Sequence, residues 1–175
     1  MLTIRIAIYI IFVFIISETS YANEIKKIDL KNGINFIEQK GAAIAITKSK
    51  GKFVSGSESD FFTGYFLPSG KTGEWIIIQN INKTGPASYY SNEINNMDCN
   101  TQSIAFFKRN NELLFARAER SDLERDCSIG KANIKIHFYK FTVTAEIPKF
   151  IETETKTTKN KYLDAFDALE HESWE

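Results

Sequence analysis

The sequence contains almost no cysteine, only Cys99 and Cys127 among 175 residues. A metal-binding cluster usually draws on closely spaced Cys and His together, and neither His137 nor His171 lies near either cysteine in sequence. Net charge is also missing, with 22 basic residues against 22 acidic ones. Nucleic acid or an acidic membrane surface would favour a basic excess, so neither is expected as the main partner. Beyond the N-terminus no long apolar run occurs, so no second membrane span is expected. Catalytic signatures are equally scarce. No G-x-S-x-G elbow is present, and Ser121-Asp122 continues with Leu123 instead of completing Ser-Asp-Asn.

What the chain does have begins with an export signal. Arg5 supplies a short positive segment, Ile6 to Ile16 is apolar, and Ser20-Tyr21-Ala22 forms a small-x-small cleavage site. Residues 1–22 are therefore expected to be removed as a signal peptide, leaving 23–175 as a single exported, β-rich domain. The apolar run holds about a dozen residues, short of the ~20 that a span requires. Asn23 follows the cut where a lipidated protein would carry cysteine, so the product is expected in the periplasm or secreted, without acylation. Removal takes one charge of each sign, Arg5 and Glu18, and leaves the domain neutral. In an exported chain the two cysteines read as one disulfide, not as a metal pair or a reactive thiol. Closing such a loop stabilises by about 3–4 kcal/mol through loss of unfolded-chain entropy.

The elements read as mainly β, an antiparallel sheet or sandwich with a C-terminal α-helix. Ser103 to Arg109 and Glu112 to Arg120 form a hairpin around Asn110-Asn111, a pair that tolerates positive φ. Before it, 24–30, 34–38, 42–47 and 61–67 alternate or are apolar enough for strands, and 48–52 and 56–60 read as turn and loop. Glu74 to Asn80 carries a continuous apolar run, as expected of a central strand buried on both faces. Ala87 to Tyr90 is a short strand or an exposed aromatic segment. Ile134 to Thr144 is the longest strand signal, and a bulge near Tyr139-Lys140 would bring its two apolar sets to one side. Pro148 is expected to end the sheet, and Thr153 to Lys161 to be a linker. A helix from about 160 follows, with Tyr162, Phe166 and Leu169 as its stripe and Leu163 beside it.

Short matches to catalytic motifs fail on context. Gly70-Lys71-Thr72 lacks the upstream glycine of a phosphate loop and precedes a strand. Ser49 to Lys52 and Ser128 to Lys131 match S-x-x-K, and Lys71 to Gly73 and Lys83 to Gly85 match K-T-G. That chemistry needs the serine at a helix start, and neither serine segment reads as helix. His137 reads as a half-exposed strand histidine and His171 as part of a solvated helix face. No catalytic residue, metal or cofactor is therefore assigned. Aromatics make up 13% of the chain, enough for the core and for some exposed rings. Trp75, Tyr89 and Tyr90 are candidates to line a groove for a ligand or partner. Arg109 and Arg117, both on the hairpin, could flank a carboxylate, which arginine binds through paired N–H donors.

The export signal, the two cysteines and the Lys31 to Ile37 stretch, K-N-G-I-N-F-I, together resemble the periplasmic carbapenem intrinsic-resistance proteins. That resemblance implies a non-enzymatic protective or binding protein of the self-resistance or immunity class, with a small-molecule antibiotic as its partner. An alternative is an envelope or surface interaction module, adhesin-like or secretion-accessory, with an envelope protein as its partner. The resemblance carries no residue roles, and the oligomeric state is open.

Overall fold

The computed structural model describes residues 25–39, 41–52, 58–95, 99–120, 127 and 130–172. The proposed signal peptide lies outside these residues. In chain order the strands are β1 (Ile25–Ile28), β2 (Gly33–Gln39), β3 (Ala42–Lys52), β4 (Glu58–Leu67), β5 (Ile76–Ile77) and β6 (Gln79–Ile81). They continue as β7 (Ser91–Asn92), β8 (Ile94–Asn95), β9 (Asn100–Arg109), β10 (Glu112–Arg120), β11 (Ile134–Thr144) and β12 (Ile147–Thr157), followed by the helix α1 (Ala165–His171). The larger sheet runs β1-β9-β10-β11-β12-β6, with β8 also on β9; the smaller runs β2-β3-β4-β5, with β7 also on β4. The fold is mainly β, with two sheets, a C-terminal helix and one disulfide.

The hairpin is β9–β10. Arg109 faces Glu112, and Asn110 takes the turn at φ 55°. Cys99 and Cys127 lie beyond the open end of this hairpin and are bonded, with their Cα atoms 6.1 Å apart. Behind the cystine sits a buried arginine. Arg120 donates through Nη2 to the Gly130 carbonyl at 3.1 Å and through Nη1 to the Leu163 carbonyl. It thus ties the hairpin to the chain that follows Cys127 and to the segment entering the helix.

Both faces of the larger sheet are covered. Because side chains alternate along a strand, each central strand feeds two cores. Ile104, Phe106, Leu113, Phe115, Tyr139 and Phe150 point toward the smaller sheet and meet Ile44, Ile46, Phe62 and Phe66. Phe115 stacks on Tyr139 with centroids 4.2 Å apart and meets Phe150 edge-on at 4.9 Å. The opposite face carries Ala105, Phe107, Ala116, Ala118, Ile134 and Ile136 against Ala165, Ala168 and Leu169 of α1. Small side chains on this side let the helix sit close to the sheet.

Several expected elements are arranged differently. The apolar run 74–80 is not a central strand: Ile76 and Ile77 form an exposed edge on β4, Ile78 is buried, and β6 crosses into the larger sheet. Its continuous apolarity reflects a crossover between sheets. Strand β3 runs on through the expected turn at 48–52, and β4 already includes Ser59 and Asp60. Pro148 does not end the sheet. It sits in β12 opposite Val143, and the strand's second neighbour β6 reaches only Lys149 to Ile151, so the missing N–H is tolerated. Half of the expected linker is therefore strand, since threonine favours extended backbone.

The two apolar sets of β11 do not share a side; Ile134 and Ile136 face the helix, and Tyr139 and Phe141 face the smaller sheet. A bulge is present, but Phe138 pairs with Glu154 and Tyr139 with Glu152, so the extra residue is Thr153 of β12. The helix is shorter than expected. Asp164 caps it by accepting from the Asp167 N–H at 2.7 Å, and Tyr162 lies before the cap, bridged to Ala132. Phe166 and Leu163 face outward.

Two variants test this fold. The β11–β12 turn places Ala145 at φ 48° and Glu146 at φ 65°, where non-glycine residues are strained. Ala145→Asn with Glu146→Gly should stabilise by about 1 kcal/mol, read as a raised denaturant midpoint. Arg120→Met should cost about 3 kcal/mol by stripping the Gly130 and Leu163 carbonyls of their donor, read the same way.

Candidate functional site

The face of the larger sheet that carries the aromatic core turns polar toward one end. On β10 the alternation that points Leu113 and Phe115 inward continues with Arg117 and Glu119. On β11 the same face carries Tyr139 and His137, with His137 directly opposite Arg117 in register. The Thr153 bulge brings both Glu152 and Thr155 of β12 to His137. Its Nδ1 lies 2.9 Å from Glu152 Oε1 and 3.2 Å from Thr155 Oγ1, and its Nε2 lies 2.9 Å from Glu119 Oε1. Glu152, which is buried, also accepts from the Thr155 hydroxyl at 2.6 Å and from the Lys83 N–H at 2.8 Å.

These contacts set the protonation states. The hydrogen bond His137 makes to Glu119 raises its pKa above the ordinary 6.5; burial opposes this and Glu152 adds to it. Burial alone would raise Glu152, but the bonds from His137, Thr155 and Lys83 together outweigh it and bring the carboxyl down to about 2. Glu119 is lowered mainly by His137. The arrangement is an imidazole held between two carboxylates, which favour its protonated form. Both ring nitrogens are engaged by carboxylates.

Beside this row lies a cavity of about 200 Å³. Asn80, Asn82, Ser88, Tyr90, Gln102 and Arg117 line it, with Phe115 and Tyr139. The Tyr139 hydroxyl donates to Asn82 Oδ1 at 2.7 Å, and burial pushes its pKa up to about 12, so it stays a donor. Asn80 Nδ2 donates to Ser91 Oγ at 3.1 Å. The Arg117 guanidinium lies over the Tyr139 ring, 5.7 Å from its centroid.

Of the residues singled out in sequence, Arg117 and Tyr90 meet at this cavity. The others lie elsewhere. Arg109 is on the helix-facing side of the hairpin's turn end, 3.7 Å from Glu112, and lines a separate groove with Leu114, Ile136 and Phe138. It therefore does not converge with Arg117 on a shared carboxylate. Trp75 packs on Phe36 with centroids 6.1 Å apart on the smaller sheet, and Tyr89 is exposed, its hydroxyl 3.5 Å from Gln79 Nε2. Sequence reasoning left out Glu119, Glu152, Asn80 and Asn82 and took His137 for an ordinary strand residue. A signal was present. Pairing Thr144 with Ile147 across a two-residue turn and counting back brings Tyr139 opposite Glu152.

Comparison with solved structures finds a protein of this architecture. The chain matches the crystal structure of CarG, a carbapenem resistance protein, with a TM-score of 0.68 and 16% identity, over 85% of this chain and 96% of that one. At that identity the likeness is one of fold. No protein-family model and no curated protein sequence matches the chain.

The charged row has a pH signature. A raised His137 pKa stabilises the fold below its unfolded value near 6.5, and that contribution is lost as pH rises through the folded value. The lowered Glu119 and Glu152 contribute above about 4.5 and lose their effect as pH falls through their folded values. Stabilisation from the row should therefore be greatest between about pH 4.5 and 6.5. Melting temperature measured from pH 4 to 9 should fall on the alkaline side, and His137→Gln should flatten that limb.

Proposed function

We propose that the chain is a non-enzymatic binding protein of the carbapenem-resistance class, acting in the periplasm once residues 1–22 are removed. The likeness in fold to CarG across nearly all of that protein's length carries this reading. The cystine supports it, because such bonds persist in oxidising compartments. Among the described residues no helix is long and apolar enough to cross a membrane. The non-enzymatic part draws on the chemistry of the charged row. His137 has both nitrogens engaged by carboxylates, so neither is free to take a proton from a substrate.

A second reading, an envelope interaction module, is favoured by one observation. Ile34, Phe36, Trp75 and Ile77 of the smaller sheet are exposed, Phe36 by 71%, and Tyr89 and Tyr90 are exposed nearby in sequence. Apolar area of this kind commonly marks a protein contact.

Expression with its own leader in a carbapenem-sensitive host should raise drug tolerance severalfold while the drug concentration in the medium stays constant. Unchanged tolerance with the protein present in the periplasm would count against the resistance reading. Disappearance of the drug would instead mark an enzyme. Capture of an envelope protein by wild type but not by Phe36→Ser/Trp75→Ser would favour the module.

A further inference from the structure

We propose that the cavity beside Arg117 takes a small organic monocarboxylate, with the Arg117 guanidinium as its anchor. The assignment rests on the reading of the protein as a small-molecule binder. Arg117 Nε is buried and has no hydrogen-bond acceptor, a rare condition in folded proteins. The Glu119 Oε2 atom stands 3.9 Å from Nε, beyond hydrogen-bond range, and Glu119 Oε1 is held by His137. The guanidinium is thus placed, by its register in β10 and by the Tyr139 ring, without being fully satisfied.

Apart from Arg117, the wall is polar and carries no formal charge. Asn80, Asn82 and Gln102 line it with amides that already donate to Ser91, Pro86 and Asn92, Ser88 adds a hydroxyl bonded to the Tyr90 carbonyl, and Tyr90 adds a ring. A volume of about 200 Å³ admits a small molecule or part of one and not a folded segment. Charge selects within the anions. Arg117 and His137 already face Glu119 and Glu152, so the row holds no large excess of positive charge. One further negative charge can be met by the guanidinium fork. A dianionic phosphate would set its second charge against Glu119.

The test follows the Arg117 Nε–H resonance of the oxidised mature protein during titration with meropenem, with meropenem methyl ester and with benzoate, the last as a minimal carboxylate. Meropenem and benzoate should each shift that resonance. Calorimetry should show at least tenfold weaker binding of meropenem to Arg117→Gln, partial recovery in Arg117→Lys, and a similar loss for the ester on wild type. Should Arg117→Gln fail to fold, the wild-type resonance and the ester comparison still decide. Meropenem bound equally by wild type and Arg117→Gln would overturn the anchor and leave the binding reading standing. A shift with benzoate alone would support the anchor and overturn carbapenem binding. No shift with any of these at millimolar concentration would overturn the anchor.

Discussion

The larger sheet has to be dry on both faces. That demand decides which residues its central strands can carry. Strands β9 and β10 cannot follow the simple alternation of a sheet wetted on one side, so both parities are apolar, but not alike. Toward the smaller sheet the side chains are large: Phe106, Phe115, Tyr139 and Phe150 interlock edge-on and stacked. Toward the helix they include Ala105, Ala116 and Ala118, against Ala165 and Ala168. A helix of seven residues has little cohesion of its own. It holds its place because the sheet beneath it is smooth and because Arg120 and Asp164 fasten its entry.

The cystine and Arg120 act at the same end of the hairpin, one covalently and one through carbonyl groups. The cystine joins the two flanks of β9–β10, and Arg120 holds that end against the chain that returns from β12. The polar row lies on these same strands. Arg117 and Glu119 are neighbours of Arg120 on β10, so the site borrows its rigidity from the anchoring of the hairpin. The Thr153 bulge adds the final adjustment, since without it Glu152 and Thr155 would alternate to opposite sides of β12.

Much of the fold was legible in the sequence, and the departures have identifiable causes. Asn110-Asn111 announced the β9–β10 hairpin because asparagine accepts positive φ. Ala145-Glu146 turns the chain between β11 and β12 with residues that resist positive φ, and so that hairpin stayed hidden and Pro148 looked like a terminus. The apolar run at 74–80 was visible, but hydropathy does not tell a buried strand from a segment crossing between two sheets. Of the site, Arg117 and Tyr90 were visible as residue types with a possible use. Glu119, His137 and Glu152 were not, because what joins them is register across three strands and a bulge, and neither has a local spacing to reveal it.

The parallel pairing of β6 with β12 bears on the order in which the chain can assemble. Strands β2 to β5 follow one another as a meander, and their contacts form between near neighbours in sequence. Strand β6 comes next, yet its partner in the larger sheet is the last strand of the chain. A chain emerging amino end first can therefore build the smaller sheet early and must leave β6 waiting until β12 arrives. Closure of the sandwich is then a late event, set by the carboxyl end, and contacts of such long range are slow to form.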